Sequence, residues 1–333
     1  MKILTILIFS GERLSIKWLL NDLVKLNKFN IDICIVEWST NKKNLVKKNQ
    51  IYKTYKKKIE SLKINYQKGS WEYKYKKYIN TFKSKYILLI GDDDRINVTK
   101  FKKIFKYLKF NYSGITTSFK NFQNNEEIKK DDVFDLNEKK IRSFDLNCDL
   151  NKIGFTSCQI IKTNLIKKIF QKEKKNLTLT KFPQNFIILG IIRKFNNWKV
   201  LDIKCIYNHA GSIDIFKKNK KNLLKYIKIS DRLKSEYLGY FLPLKNNFSD
   251  LNLKQILKIY KNIFFKNIIS WVFLSIKLIG KKNTYNNIKN VRQIFKEPFS
   301  VKVFLILIYL CPVIFLDFIR ILRNLFKKVF NIL

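Results

Sequence analysis

The first two hundred residues alternate short apolar runs with longer amphipathic ones, and this limits the possible folds more than any other feature. Ile3–Phe9 and Ile31–Val36 read as buried strands. Leu14–Leu26 between them reads as a helix, because Ile16, Leu19, Leu20, Leu23 and Leu26 fall on one face. A very basic helix over Asn44–Glu60 leads to a third strand at Leu62–Tyr66. The pattern continues with a helix over Trp71–Phe82, a strand at Tyr86–Ile90, a helix over Val98–Phe110 and a strand at Ile115–Ser118. Asn121–Asp149 is polar, mixed in charge and poor in apolar residues, so it reads as an excursion. Regular patterning resumes at Phe155–Ile161, followed by a helix at Gln184–Phe195 and a strand at Trp198–Ile203. Parallel strands need crossover connections, so the predicted class is α/β, with a mostly parallel sheet flanked by helices.

The composition changes after about Ile215. Lys217–Lys228 is dominated by lysine, and from Leu251 the pattern is helical and strongly apolar. Ile263–Ile279 is interrupted by Lys266 and Lys277, and Val303–Leu316 carries no charge before Asp317. A spanning helix wants about 20 apolar residues, and this run is shorter. Lys302 flanks it on one side and Arg320, Arg323, Lys327 and Lys328 on the other, so the positive-inside rule gives no orientation. Helices lying in a cytoplasmic leaflet, lysines on anionic headgroups, are the favoured reading. A true span and an ordinary helical bundle are the alternatives.

With 333 residues the chain is long enough to bury a core, and 46% hydrophobic content excludes intrinsic disorder. Sixty-eight Lys and Arg against 25 Asp and Glu give a net charge of +43. Such a field suits phosphates, nucleotides, nucleic acid or an anionic membrane. A/T-rich coding would also enrich Lys, Asn, Ile and Phe, so the charge permits these partners without selecting one. Cys34, Cys148, Cys158, Cys205 and Cys311 are scattered and form no CxxC, which fits buried thiols in a reducing compartment. No cleavable signal follows the first apolar run, so the amino-terminal domain is expected in the cytoplasm.

The sharpest local feature is Tyr86-Ile-Leu-Leu-Ile-Gly-Asp-Asp-Asp-Arg95. The apolar residues make a strand buried on both faces, and Gly91 frees the backbone to turn. Asp92, Asp93 and Asp94 then emerge at the strand's carboxyl end, where open α/β sheets place their ligands. Adjacent carboxylates repel, so their grouping calls for a counter-charge. A hard divalent cation supplies one and takes the rest of its shell from water and substrate phosphates. The competing reading makes Asp94 the cap of the helix that begins near Val98.

These residues resemble the metal-binding segment of family 2 glycosyltransferases with the GT-A fold, and especially bacterial abequosyltransferase-like enzymes of surface-polysaccharide synthesis. Leu4-Thr-Ile-Leu-Ile-Phe-Ser-Gly-Glu-Arg13 stands where the family has a strand and a Thr-Tyr-Asn-Arg-like turn. Cys34-Ile-Val-Glu-Trp-Ser-Thr40 stands where it has Val-Asp-Asp-Gly-Ser-Thr, with Val36 and Trp38 departing from that pattern. The resemblance covers about residues 1–215 and implies a nucleotide-sugar glycosyltransferase domain there, with 216–333 as a basic, apolar helical region that associates with membrane. It places Ser10, Glu12, Glu37 and Ser39 near the nucleotide and implies Asp93 and Asp94 as ligands of Mg²⁺ or Mn²⁺. Asp92 would take a ribose or water contact.

The family sets a catalytic acid just before a late helix, where this chain has Lys181-Phe-Pro-Gln-Asn185, and no Asp or Glu occurs between Glu173 and Asp202. Gln184 and Asn185 cannot accept a proton at neutral pH but can orient an acceptor. Asp145 and Asp149 are candidates for the base, which stays unassigned. His209 is, by the same resemblance, a metal or diphosphate ligand, and otherwise a structural histidine. Tyr52, Tyr55, Trp71, Tyr73, Tyr75 and Tyr78 interleave with lysines, and inward packing is preferred to base stacking because no nucleic-acid motif accompanies them. The implied activity is metal-dependent, inverting transfer of a sugar from a nucleotide-diphosphate donor. The acceptor is a lipid-linked saccharide on the cytoplasmic membrane face, and no nucleic-acid partner is expected. The rival is a non-catalytic basic protein that binds nucleic acid or acidic lipid.

Overall fold

The structure is a computed structural model that describes residues 2–67, 77–78, 81–122, 141–150, 152–172, 183–209, 240, 242–252, 255–256, 259, 276 and 280–283. Two compact units are distinguished, Met1–Ile215 with Leu238–Tyr260, and Phe216–Tyr237 with Lys261–Leu333. In the second unit the described residues, 276 and 280–283, are helical.

The first unit is built on nine strands of described residues. They are β1 (Leu4–Ser10), β2 (Ile31–Glu37), β3 (Leu62–Tyr66), β4 (Tyr86–Gly91), β5 (Arg95–Ile96), β6 (Gly114–Phe122), β7 (Ile141–Ser143), β8 (Gln159–Lys162) and β9 (Trp198–His209). One sheet joins them in the order β3-β2-β1-β4-β8-β6-β9-β5, with β7 also paired to β9. Helices α1 (Ile16–Val24) and α2 (Lys42–Lys56) make the first crossovers. The short α3 (Val98–Lys102) and α4 (Ile104–Leu108) are separated at Lys103, where one continuous helix was expected. Then come α5 (Leu146–Asp149), α6 (Thr163–Lys172), α7 (Pro183–Phe195) and α8 (Leu242–Asn247).

The sheet is mixed: its longer ladders are parallel, as expected, and its shorter ones are antiparallel. The ladders β1–β2, β1–β4, β2–β3 and β6–β9 are parallel. The ladders β4–β8, β6–β8, β5–β9 and β7–β9 are antiparallel. The reason lies in the connections. A 3-10 turn at Thr156–Cys158 brings the chain to the carboxyl end of β4, where Ser157 meets Gly91. With no crossover left to make, β8 can only run back along β4, pairing Leu88 with Ile160 and Tyr86 with Lys162. The polar stretch also holds more structure than its composition indicated, since it contributes β7 and α5.

The predicted face of α1 is the buried one: Ile16, Leu19, Leu20 and Leu23 are fully covered, as is Leu26 beyond it. They pack with Leu4, Ile6 and Ile8 of β1 and with Leu88 and Ile90 of β4 in one core. Each such side chain contributes about 1.5–3 kcal/mol of burial. Tyr52, Tyr55 and Tyr78 are buried too, in keeping with inward packing of the aromatics. Cys34, Cys158 and Cys205 are buried thiols, whereas Cys148 is exposed.

The register sets the geometry that matters for function. Ser10 pairs with Glu37, Phe9 with Gly91 and Glu37 with Tyr66, so the carboxyl ends of β1 to β4 finish along one edge. Three chain segments emerge there side by side: Gly11–Ser15, Trp38–Asn41 and Asp92–Asp94.

No helix among the described residues is long and apolar enough to cross a membrane. Most of Trp71–Phe82, the segments Lys217–Lys228 and Val303–Leu316 with Asp317 and their basic flanks, Ile263–Ile279 apart from Ile276, and Cys311 lie outside the described residues.

Candidate active site

Asp92, Asp93 and Asp94 form a turn that joins β4 to β5, closed by the Asp94 amide on the Gly91 carbonyl at 3.3 Å. Aspartates suit such turns because they tolerate the backbone and bond to it. The turn is anchored at its far side. The Arg95 guanidinium donates to both carboxylate oxygens of Asp22 on α1, at 2.6 and 2.7 Å, and the Ile96 amide donates to Asp22 at 3.1 Å. None of the three acids caps the next helix. Asn97 does so, accepting from the Lys100 amide at 2.9 Å.

The three carboxylates part company in the folded chain. Asp92 turns inward and is 5% exposed. It accepts from the Gly11 amide at 2.9 Å and from the Ser10 hydroxyl at 3.3 Å, which ties the first loop to the acidic turn. Burial raises its carboxyl to about 6, against the opposing pull of Lys48 and Arg13. Asp94 is also buried and accepts a hydrogen bond from the Ser157 hydroxyl. Asp93 is held by the Arg13 guanidinium, which also stands 3.7 Å from Asp92.

One oxygen of Asp93 and one of Asp94 converge above Gly91. They lie 3.0 and 3.1 Å from the point where a Cβ on that residue would stand. A side chain there would press on both, and the two carboxylates would have to give by a few tenths of an ångström. Two carboxylates on one side of an open edge fit a hard divalent cation, which keeps one or two protein carboxylates and fills its shell from water and phosphate. Among the described residues no group of three or more His, Cys, Asp or Glu side chains is placed to hold a metal ion.

Beneath this edge lies a group that the sequence reading missed. Lys48 of α2 is fully buried. Its ammonium donates to the Ser10 hydroxyl at 2.6 Å, to Glu37 at 3.1 Å, to the Ser39 hydroxyl at 3.2 Å and to the Gly11 carbonyl, and it stands 4.0 Å from Asp92. Glu37, 1% exposed, also accepts from the Ser39 amide at 2.8 Å and from the Tyr52 hydroxyl. Burial alone would raise the Glu37 carboxyl. The bonds from Ser39 and Tyr52, with Lys48 beside them, more than offset this and hold it below the usual carboxylate range. Burying a lysine is costly unless it is paired and hydrogen-bonded, and here both conditions are met. The signal was present in the sequence: Lys48, Tyr52, Tyr55 and Ile59 share one helical stripe, so this lysine sits among inward-facing residues.

Thus Ser10, Glu37, Ser39 and Asp92 come together around one ammonium, while the partly exposed Asp93 and the buried Asp94 lie over Gly91. Glu12 lies at the rim and accepts from the Thr40 amide at 2.6 Å and its hydroxyl at 2.7 Å. Those bonds, the Thr40 hydroxyl foremost, lower its carboxyl. Gln184 and Asn185 are both buried in the first turn of α7, and the Gln184 side-chain oxygen has no hydrogen-bond partner among the described residues. His209 ends β9, and its side chain lies outside the described residues. Asp149 is fully buried, with Arg142 at 2.6 Å and Lys152 at 3.1 Å. These partners, together with the Asp145 amide, hold its carboxyl low despite its burial. Asp145 accepts from the Asn147 amide at 2.8 Å as the cap of α5.

No protein-family profile and no curated protein sequence matches the chain. Among solved structures it is similar to S. aureus TarS 1–349 in complex with UDP-GlcNAc, with a TM-score of 0.61 and 17% identity over 88% of this chain and 81% of that one. The fold is of the GT-A type. The mannosyltransferase PcManGT from Pyrobaculum calidifontis, in complex with GDP-Man and Mn²⁺, aligns with 90% of this chain and 78% of its own. Its TM-score of 0.48 at 8% identity is too low to carry an inference. At these identities the likeness establishes how the chain is arranged, and function must be argued from the site itself.

Proposed function

We propose that the chain is a glycosyltransferase that moves a sugar from a nucleoside-diphosphate donor to a saccharide acceptor. The observation that carries this reading is the pair of carboxylates, Asp93 and Asp94, converging above Gly91 at the ligand-binding edge of a GT-A sheet. Mg²⁺ or Mn²⁺ would be held there by Asp93 and Asp94, and when bound it offsets the charge on the departing diphosphate.

The chain's own residues do the rest. Lys48, through Ser10, Glu37, Ser39 and Asp92, fixes the floor beneath the nucleotide, and Glu12 holds the rim by bonding Thr40. Fixing these loops before the donor arrives spares their ordering entropy at the moment of binding. Gln184, whose buried amide oxygen is unpartnered among the described residues, orients the acceptor hydroxyl. Asp149 is locked between Arg142 and Lys152 and is not the general base. The acceptor would be a lipid-linked saccharide at a cytoplasmic membrane face, with residues 216–333 attached to that surface, and the net charge of +43 is compatible with an anionic membrane.

The test is diphosphate release from a panel of nucleotide sugars in the presence of Mn²⁺. Release from one nucleotide class, lost in Asp93→Asn and Asp94→Asn, supports the reading. No release from any donor, with or without saccharide acceptors, contradicts it. A basic polyanion-binding protein would instead bind nucleic acid or acidic vesicles with steep salt dependence and be indifferent to Asp93→Asn.

A further inference from the structure

We propose that Arg13 is an exchangeable counter-ion. It holds Asp93 in the metal-free protein and turns to the donor's diphosphate when a divalent cation takes that carboxylate. This rests on the nucleotide-sugar reading above.

The argument begins with how differently the three neighbouring acids are held. Asp92 is bound by backbone, a hydroxyl and a buried ammonium, and its side chain is 7% exposed. Asp94 is buried and bonded to Ser157. Both are thus held within the fold. Asp93 differs, because its counter-charge is the Arg13 guanidinium, whose side chain is 52% exposed while that of Asp93 is 16% exposed. An ion pair with one partner half in water adds little to stability, so it gives way readily to a competitor.

A divalent cation at the cradle over Gly91 is that competitor. It would use the same carboxylate, and two cations drawn to one carboxylate repel each other. Lys48 cannot be the group that leaves, because it is fully buried and bonded to Ser10, Ser39 and Gly11. Arg13 can leave, because it sits on the exposed loop after β1. Once released, it remains tethered within its own length of Asp93. Phosphate oxygens bound to a cation at Asp93 and Asp94 would lie inside that reach. A guanidinium also offers a planar fork of donors that matches phosphate geometry, which lysine does not. The same side chain therefore offsets one charge of the acidic turn before the donor arrives and one charge of the diphosphate afterwards. No bond is made or broken in this exchange.

The test uses the full chain and two ligands measured separately, Mn²⁺ alone and then UDP or GDP at saturating Mn²⁺. Free Mn²⁺ is counted by electron paramagnetic resonance, and nucleotide binding is followed by calorimetry. Arg13→Gln should bind Mn²⁺ alone at least as tightly as the wild type, because the competing cation is gone. It should bind the nucleoside diphosphate about ten- to a hundredfold more weakly, the loss expected for one charge-assisted contact. Arg13→Lys should recover part of the nucleotide affinity, which also guards against a misfolded glutamine variant. Weaker Mn²⁺ binding in Arg13→Gln, or unchanged nucleotide affinity, overturns the exchange while leaving the nucleotide-sugar reading intact. If the wild type itself shows no Mn²⁺-dependent nucleotide binding, that reading fails and the exchange fails with it.

Discussion

Replacing Lys48 by methionine would test the site at its foundation. The two side chains are similar in length, so the substitution removes the charge and its bonds while keeping most of the packing. The ammonium is fully buried and serves Ser10 at 2.6 Å, Glu37 at 3.1 Å, Ser39 at 3.2 Å and the Gly11 carbonyl. Without it Glu37 remains buried with hydrogen bonds but no cation, and Asp92 loses its nearest positive group inside the fold. Deleting one partner of a buried pair costs about 3–5 kcal/mol, a large part of the stability of an ordinary domain. Urea unfolding at pH 7 should show a loss of that size for Lys48→Met. Glu37→Gln should also destabilise the chain, and the double variant should lose at least about 1 kcal/mol less than the sum of the two. The cost of Lys48→Met should shrink towards pH 5, as the stranded carboxylates take up protons. A loss below about 1 kcal/mol, or strict additivity with Glu37→Gln, would refute the claim that this ammonium holds the three loops together.

Other residues make separate predictions. Asp92 has its carboxyl raised to about 6 by burial, so the native state takes up this proton before the unfolded chain does. Relative to Asp92→Asn, the wild type should therefore gain about 1 kcal/mol of stability between pH 7 and pH 5, and a difference that is flat with pH would contradict the assignment. Ser157→Ala removes the acceptor of the Gly91 amide and the donor to Asp94. It should cost about 1–3 kcal/mol in unfolding and weaken Mn²⁺ binding, and a silent variant would detach the 3-10 turn from the site. Gln184→Leu should leave the melting temperature unchanged or raised, since a buried unpaired oxygen is lost. It should slow transfer to acceptor while sparing nucleotide binding, and unaltered transfer kinetics would remove Gln184 from the acceptor site.

Much of this organisation was legible in residue order, for reasons that are physical. Apolar runs at Ile3–Phe9, Ile31–Val36 and Tyr86–Ile90 became strands of the sheet because such runs can only be covered from both faces. The stripe Ile16, Leu19, Leu20, Leu23 became the buried face of α1 for the same reason. The acidic turn was visible because three aspartates in a row are conspicuous in a chain with 25 acids among 333 residues. Sheet direction was less visible. β8 is antiparallel because Ser157 docks on Gly91, a contact across 66 positions that leaves no local trace. β5 has two residues, too few for a periodic signal, and exists because Arg95 and Ile96 are pinned by Asp22 and paired with β9. Lys48 was hidden by its own kind. Lysines surround it along α2, and only its spacing from Tyr52 and Tyr55 marks it as the inward one. The division of labour among Asp92, Asp93 and Asp94 was equally hidden, since it depends on which neighbour each meets.

The central claim is that Asp93 and Asp94 receive a nucleoside diphosphate through a divalent cation. Calorimetric titration of UDP, GDP and CDP, each with and without Mn²⁺, into the wild type and Asp93→Asn addresses it most directly. One of the three should bind only with the metal, and Asp93→Asn should abolish that binding without changing the unfolding midpoint by more than a surface substitution does. Equal binding with and without Mn²⁺, or an Asp93→Asn variant that binds as the wild type does, would contradict the account.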